Sequence, residues 1–368
     1  MKGGYYLNDK VEARYLRKIK EKLEGKKVCI FPMGVGGRDM RDKLSARSIE
    51  VDFFCDNNEA VWGTSYNGTK CISYPELVSM NSDDVVVIVE SSFYYDAIKE
   101  QLASDGIKNC VRIFFEKIFA EEYVNENREN LEQRIEKVLE ILADERSKEV
   151  YQHLVASWNM EDIPDNYFKK ICSDNQYFEK GLIELGEQEV FVDCGAYTGD
   201  SARDFLKASH GKYKKMHLFE LSPTIYRELE RNVAEVPNVQ CYPYGVSDKN
   251  QEVEFVLGER NSSIQSAIAV ANGKEEKLIG QVKTLDEVLA GEEVTFIKMD
   301  IEGAEHSALE GARELIKSQK PVLAICIYHS PQDMLELPVL IKQLNPEYKI
   351  YIRHYTEVMF ETVCYAVL

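Results

Sequence analysis

Nowhere in the chain do about 18 apolar residues run together, and the first twenty alternate in charge without an apolar stretch, so neither a membrane span nor a secretion leader is expected. Positive charge is also scarce: 45 Lys and Arg stand against 63 Asp and Glu, a net charge of −18. No basic cluster offsets that balance, which argues against nucleic acid as a partner, and its ordinary consequence is solubility. The nine cysteines, at 29, 55, 71, 110, 172, 194, 241, 326 and 364, form no C-x-x-C pair and sit mostly in or beside apolar runs. This excludes a zinc site or disulfide framework of the usual spacing and suggests buried thiols in a reducing compartment, so a cytoplasmic location is expected.

What is present is an α/β alternation. At 368 residues, with 44% apolar and 29% charged residues, the chain is long enough for two domains. The apolar runs KVCIF (27–31), EVDFF (50–54), VVVIV (85–89) and CVRIF (110–114) predict a small parallel sheet, a Rossmann-like domain over residues 1–118. Leu131, Ile135, Val138 and Leu142 then recur at helical spacing, and residues 119–185 read as a helical connector and lid. Within it, Trp158, Tyr167, Tyr177 and Phe178 suit core or acceptor wall, with core favoured for most. From 186 to 368 strands alternate with helical stretches again, as in a doubly wound sheet. YKIYIR (348–353) and TVCYAVL (362–368) are separated by too short a gap for a crossover helix and should pair antiparallel.

VFVDCGAYTGDS places Gly195 and Gly199 between a strand and a helix, where small residues let the backbone approach a ligand. Glu220 ends the following strand, where a carboxylate can accept both hydroxyl hydrogens of a ribose. Asp193 and Asp200 flank the turn; they would repel a pyrophosphate but suit the ammonium and sulfonium charges of S-adenosylmethionine. Ser247 and Asp248, after the third strand, are candidates for the adenine, and Ala196 and Leu221 complete the cofactor set. In FIKMDIEGAEHSALEGA (296–312), Asp300 and Glu302 follow a buried strand at the expected ligand edge, whereas Glu305 reads as a helix-end carboxylate.

With LFELSP (218–223), GVSD (245–248), TLDEV (284–288), RHY (353–355) and ET (361–362), these segments make residues 145–368 resemble the FkbM family of methyltransferases. The resemblance implies a seven-stranded S-adenosylmethionine-dependent fold with a final antiparallel hairpin, acting on hydroxyls of sugars or polyketide-like compounds. It implies cofactor contacts at Asp193, Gly195, Tyr197, Thr198, Gly199, Glu220 and Asp248, with Asp300 near the methyl group.

Methyl transfer to an alcohol needs in-line alignment and a proton acceptor. His329, Asp300, Glu302 and His354 are the candidates, in that order. A divalent metal on Asp300 and Glu302 is a second mechanism, but two carboxylates are few for a hard cation, and no metal ligands are assigned.

In the first domain Gly34, Gly36 and Gly37 form a glycine turn, Asp39 replaces the third glycine of the dinucleotide fingerprint, and Asp56 ends the next strand. Together with CDNN and ISYPEL, this turn resembles the Rossmann-like modules of sugar-modifying acyltransferases. A nucleotide or nucleotide-sugar there, and docking of a module that binds none, both stay open. The expected function is O-methylation of a sugar, glycan precursor or related small molecule. The alternatives are a non-catalytic nucleotide or S-adenosylmethionine binding protein and a nicotinamide-dependent enzyme; a homo-oligomer is compatible with each.

Overall fold

The computed structural model describes residues 13–91, 94–257, 262–263 and 277–368. Contacts divide the chain into two units, residues 1–126 with 156–167, and residues 127–155 with 168–368. No helix among the described residues is long and apolar enough to cross a membrane.

The first unit is a six-stranded sheet of β1 (Lys27–Phe31), β2 (Phe53–Asp56), β3 (Ser65–Tyr66), β4 (Thr69–Ser73), β5 (Val85–Val89) and β6 (Cys110–Val111), in the order β3-β4-β2-β1-β5-β6. All neighbours are parallel except β3 and β4. Those two strands, absent from the sequence expectation, form a hairpin across Asn67 (φ 47°) and Gly68 (φ 83°). An Asn-Gly pair is the preferred chemistry for such a turn, so the signal was present. The second strand starts at Phe53 rather than residue 50, because the Asp52 carboxylate is committed to the Val28 N–H at 2.7 Å.

The stretch expected as one connector is three helices, Phe115–Glu126, Arg128–Ile141 and Glu145–Ser157. In the first unit, Lys117 is fully buried and its Nζ lies 3.1 Å from Glu121 Oε1 and 3.5 Å from the Trp158 carbonyl, while Glu121 Oε2 accepts the Tyr15 N–H at 3.0 Å. This cluster ties the segment 156–167 and the helix Arg14–Leu23 to the helix Phe115–Glu126.

The second unit carries β7 (Val190–Cys194), β8 (Lys215–Phe219), β9 (Val239–Tyr242), β10 (Gly245–Val246), β11 (Gln251–Leu257), β12 (Ser262–Ser263), β13 (Lys277–Lys283), β14 (Phe296–Met299), β15 (Val322–Cys326), β16 (Lys349–His354) and β17 (Thr362–Val367). Seven form one sheet in the order β16-β17-β15-β14-β7-β8-β9. Only β17 runs against its neighbours, the antiparallel closing pair expected from the short gap. The four strands β10 to β13 form a second sheet that the sequence reading did not foresee. Its clearest signal was the alternation in Gln251–Leu257, where Phe255 is buried and Glu252 and Glu254 alternate with Val253.

The core beneath the large sheet is aromatic. Phe191 stacks on Phe205 with ring centres 4.5 Å apart, and Phe178 packs against Phe191, Phe205 and Phe296. Phe178 thereby anchors an otherwise irregular segment, residues 175–185. Of the four aromatics left open above, Trp158, Tyr177 and Phe178 are buried and Tyr167 is half-buried, and Tyr177 and Phe178 also line the cleft described below.

Trp62 and Trp158 are the two tryptophans of the chain, and both belong to the first unit, so tryptophan fluorescence reports that unit alone. Lys117→Met should destabilise it by about 3–5 kcal/mol, the usual cost of removing one partner from a buried ion pair. Urea denaturation followed by fluorescence checks this, and an unchanged midpoint would show that the pair is dispensable.

Candidate functional site

In the second unit the strand ends of β7, β8 and β14 open onto a cleft of about 1300 Å³. Its wall includes Gly195, Tyr197 and Asp200 after β7, Glu220 and Leu221 after β8, Asp300 and Glu302 after β14, Tyr328, and Glu361. The irregular segment supplies the facing wall with Gln176, Tyr177 and Lys180. The volume exceeds the roughly 300–1,000 Å³ of a single-ligand pocket, leaving room for two ligands side by side.

One end of the cleft is built by the glycine turn. Gly195 (φ 80°) and Gly199 (φ 91°) take left-handed backbone, and a Cβ on Gly195 would lie 2.0 Å from the Asp300 carbonyl oxygen, so only glycine fits. The Gly195 and Ala196 N–H groups donate to the Phe219 carbonyl at 3.0 and 2.9 Å, and Gly199 N–H donates to the Ala196 carbonyl at 2.8 Å. Glu220 Oε2 accepts the Tyr197 N–H at 3.1 Å and Oε1 the Ser222 N–H at 2.7 Å. With its amides committed within the protein, this turn has little left to cradle a pyrophosphate. Burial pushes the Glu220 carboxyl up to about 7, against the two amides that favour its charged form.

Below the turn Lys298 on β14 faces Asp193 on β7. Its buried Nζ lies 2.9 Å from Asp193 Oδ1 and donates to the Gly195 carbonyl at 2.8 Å, while Asp193 Oδ2 accepts the Ser201 hydroxyl at 2.6 Å. Burial alone would drive the Lys298 ammonium down; Asp193 and then Asp300 override it and hold it well above its ordinary value.

The other end is acidic. Asp300 Oδ2 accepts the Tyr177 hydroxyl at 2.9 Å and Oδ1 the Tyr328 hydroxyl at 3.0 Å. His329 Nε2 lies 3.2 Å from Asp300 Oδ1 and 3.1 Å from Glu305 Oε1, and its Nδ1 lies 3.7 Å from Glu302 Oε2. Burial would favour neutral imidazole, but Glu305 and Asp300 override it and hold His329 well above its ordinary value. Burial would likewise raise Asp300, yet the His329 contact, Lys298 and the Tyr177 hydroxyl keep it well below the usual carboxylate range. Glu302, at the left-handed φ of 57°, is pushed up to about 7 by burial and by Asp300 and Glu305, against the pull of His329.

Of the residues singled out from the sequence, Gly195, Tyr197, Asp200, Glu220, Leu221, Asp300 and Glu302 line the cleft together. The others serve differently. Asp193 and Ala196 are fully buried beneath the turn, the Thr198 carbonyl accepts the Asn232 side-chain amide, and Gly199 precedes the helix Asp200–Ala208. The Ser247 hydroxyl bonds to Asp248, whose side chain is exposed. Two of the candidate bases need correction. His354 is fully buried in the core, its Nδ1 2.8 Å from the Thr362 hydroxyl, and burial brings it down to about 4, so it has no path to the cleft. His329 sits at the expected edge, but it is buried among Asp300, Glu302 and Glu305 and is not part of the cleft wall. Asp300, Glu305 and His329 each present a metal-ligand atom, all within 4.8 Å of one another, a grouping that the spacing of Asp300 and Glu302 alone did not suggest. Lys298 and Tyr328 were not singled out from sequence, where a lone lysine inside the apolar run FIKM was a signal; Glu305 was read as a helix-end carboxylate, Glu361 only as part of the ET segment, and Tyr177 as core or acceptor wall.

In the first unit Gly36 and Gly37 lie in the helix Val35–Ser45, with Gly34 just before it, and a Cβ on Gly37 would lie 2.0 Å from the Pro32 carbonyl oxygen. Asp56 Oδ2 accepts the Met33 N–H at 2.9 Å and Oδ1 the Asn58 N–H at 2.8 Å. Asp39 pairs with Lys43 at 2.7 Å.

Residues 193–348 match the family model described as the methyltransferase FkbM domain, and residues 24–113 match a model described as C2185-like, N-terminal. Among solved structures, the chain is similar to methyltransferase FkbM from Methylobacillus flagellatus KT, with 21% identity, 96% of this chain and 93% of that one covered, and a TM-score of 0.73. That likeness establishes the fold over nearly the whole chain. Aeropyrum pernix fibrillarin, solved with S-adenosyl-L-methionine, matches at 13% identity over 51% of this chain and 71% of its own, with a TM-score of 0.32. An rRNA methylase from Streptococcus thermophilus matches at 15% identity over 50% and 87%, with a TM-score of 0.31. No curated protein matches the chain.

The close approach at Gly195 is testable by stability. Gly195→Ala adds left-handed strain and a backbone collision, at least about 2 kcal/mol. This should lower the thermal midpoint of the second unit by about 4–8 °C in circular dichroism. An unchanged midpoint would mean that the turn does not rest on the Asp300 carbonyl.

Proposed function

We propose that this chain, whose residues 193–348 match the methyltransferase FkbM domain model, uses S-adenosylmethionine to methylate a hydroxyl of a sugar, glycan precursor or related small molecule. The observation that carries the reading is one continuous cleft with a ribose-type carboxylate, Glu220, at the glycine turn and an acidic pocket of Asp300, Glu302 and Glu361. The residues fit the cofactor: the turn amides are spent, which disfavours a dinucleotide, and the carboxylates complement a cationic ligand. Bound there, S-adenosylmethionine supplies an electrophilic methyl group on a sulfonium.

The protein's part is positioning and proton removal. Glu220 accepts the ribose hydroxyls, and the Tyr177 and Tyr328 hydroxyls fix the Asp300 carboxylate toward the reacting end. Glu302, 28% exposed and on the cleft wall, has an open route to an acceptor hydroxyl and is the proton acceptor in place of His329.

Two measurements test this. S-adenosylmethionine affinity, followed by calorimetry, should fall about tenfold from about pH 8 to about pH 6, because Glu220 must be ionised to accept both hydroxyls. Burial raises its carboxyl to about 7, the Ser222 and Tyr197 amides and Lys298 draw it down and Asp193 pushes it up, and Glu220→Gln should bind weakly and lose most of that fall. A pH-independent wild-type affinity would remove Glu220 from the ribose. Separately, methyl-labelled S-adenosylmethionine incubated with sugars and nucleotide-sugars should yield base-stable methyl ethers, and Glu302→Gln should slow this about 10²–10⁴-fold. Base-labile methyl esters or N-methyl products would overturn methylation of a hydroxyl.

A further inference from the structure

We propose that Asp300, Glu305 and His329 form a divalent-cation site at the acidic end of the cleft, one that takes a transition ion of the Mn²⁺ type. The inference rests on the methyl-transfer reading for its role, though not for its existence. The three ligand atoms lie within 4.8 Å of one another, and the two distances from His329 Nε2, 3.2 Å to Asp300 and 3.1 Å to Glu305, are informative. Adjacent ligands around an octahedral ion with bonds of about 2.1 Å sit about 3.0 Å apart. The imidazole and carboxylates are thus already spaced as neighbouring ligands on one ion.

A second observation points the same way. The His329 side chain is 8% exposed and its Nε2 is hidden, yet that nitrogen makes no well-directed hydrogen bond to either oxygen. Glu305 is fully buried, and while its Oε1 accepts the Ile301 N–H at 2.8 Å, its Oε2 has no partner. Buried polar atoms are nearly always satisfied, and one ion held by His329 Nε2 and by both oxygens of Glu305 would satisfy both.

The surroundings suit a metal. The Tyr177 and Tyr328 hydroxyls orient Asp300 as an outer shell does, and a pairing of imidazole with carboxylates favours a transition ion over Ca²⁺ or Mg²⁺. Asp300 and Glu302 face the cleft, which gives an entry path and leaves positions for an acceptor oxygen. An acceptor hydroxyl bound there becomes more acidic. Its proton passes to Glu302, the oxygen lone pair forms the new bond to the methyl carbon, and the carbon–sulfur pair stays on sulfur as a neutral thioether.

The test is a Mn²⁺ titration of chelator-stripped full-length protein, read from the free-ion signal in electron paramagnetic resonance, beside a calorimetric S-adenosylmethionine titration. One Mn²⁺ per chain is expected, with affinity reduced about tenfold or more in both His329→Gln and Glu305→Gln. Absence of Mn²⁺ binding in the wild type, or unchanged binding in both variants, overturns the site. Should the variants fail to fold, the Co²⁺ spectrum of the wild type decides: bands of a nitrogen- and oxygen-ligated ion support the site, and the spectrum of the free aqua ion refutes it. Mn²⁺ binding without S-adenosylmethionine binding keeps the metal site and defeats the methyl-transfer reading; the reverse result does the opposite.

Discussion

The cleft depends on one buried ion pair. Lys298 and Asp193 are register partners on β14 and β7, fully inside the sheet, and the lysine also holds the Gly195 carbonyl. A charge so placed is stable only while paired, so the two strands must meet in that register and the chain must turn at Gly195. Two residues beyond Lys298, the Asp300 backbone lies against Gly195 too closely for any side chain there. Both ends of the cleft are therefore set from one point, the glycine turn from β7 and the acidic pocket from β14. The aromatic core beneath does the complementary task, using Phe178 to hold the irregular segment that brings Tyr177 onto Asp300.

The two units solve a common problem in the same way. In each, the carboxylate ending the second strand accepts one amide from the glycine turn and one from two residues ahead of itself: Asp56 from Met33 and Asn58, Glu220 from Tyr197 and Ser222. The acid stabilises the turn before it meets any ligand. An acidic strand end after a glycine turn is thus partly an architectural device, and only its place on the wall of an open cleft gives Glu220 a claim to a ligand.

Much of this was legible in the sequence, because strand ends and glycine turns are local features. The β7 turn, Glu220 and the Asp300–Glu302 pair each lie within a few residues of a strong apolar run, and parallel pairing gathers such ends on one edge. What was not legible depended on register and side-chain direction. Asp193 looks like a ligand from its spacing, but it points into the sheet at Lys298. His354 looks like a base, but the pleat turns it inward to Thr362. Glu305 reads as a helix-end carboxylate, and only the fold reveals that it faces His329 from another element. The β10–β13 sheet was missed because β10 and β11 pair with β13 across residues distant in sequence, and the Asn67-Gly68 hairpin because its strands are short.

The charge pattern also bears on turnover. Asp300, Glu302 and Glu361 line one end of the cleft, and Lys298 beside them is paired with Asp193, so carboxylates predominate there. Attraction between unlike charges strengthens as water is excluded. Under the methyl-transfer reading, such a pocket holds a sulfonium more tightly than the thioether left after transfer. The carboxylates that recruit the cofactor thereby lose most of their hold on it once the methyl group has gone, and the charge change of the reaction itself favours release.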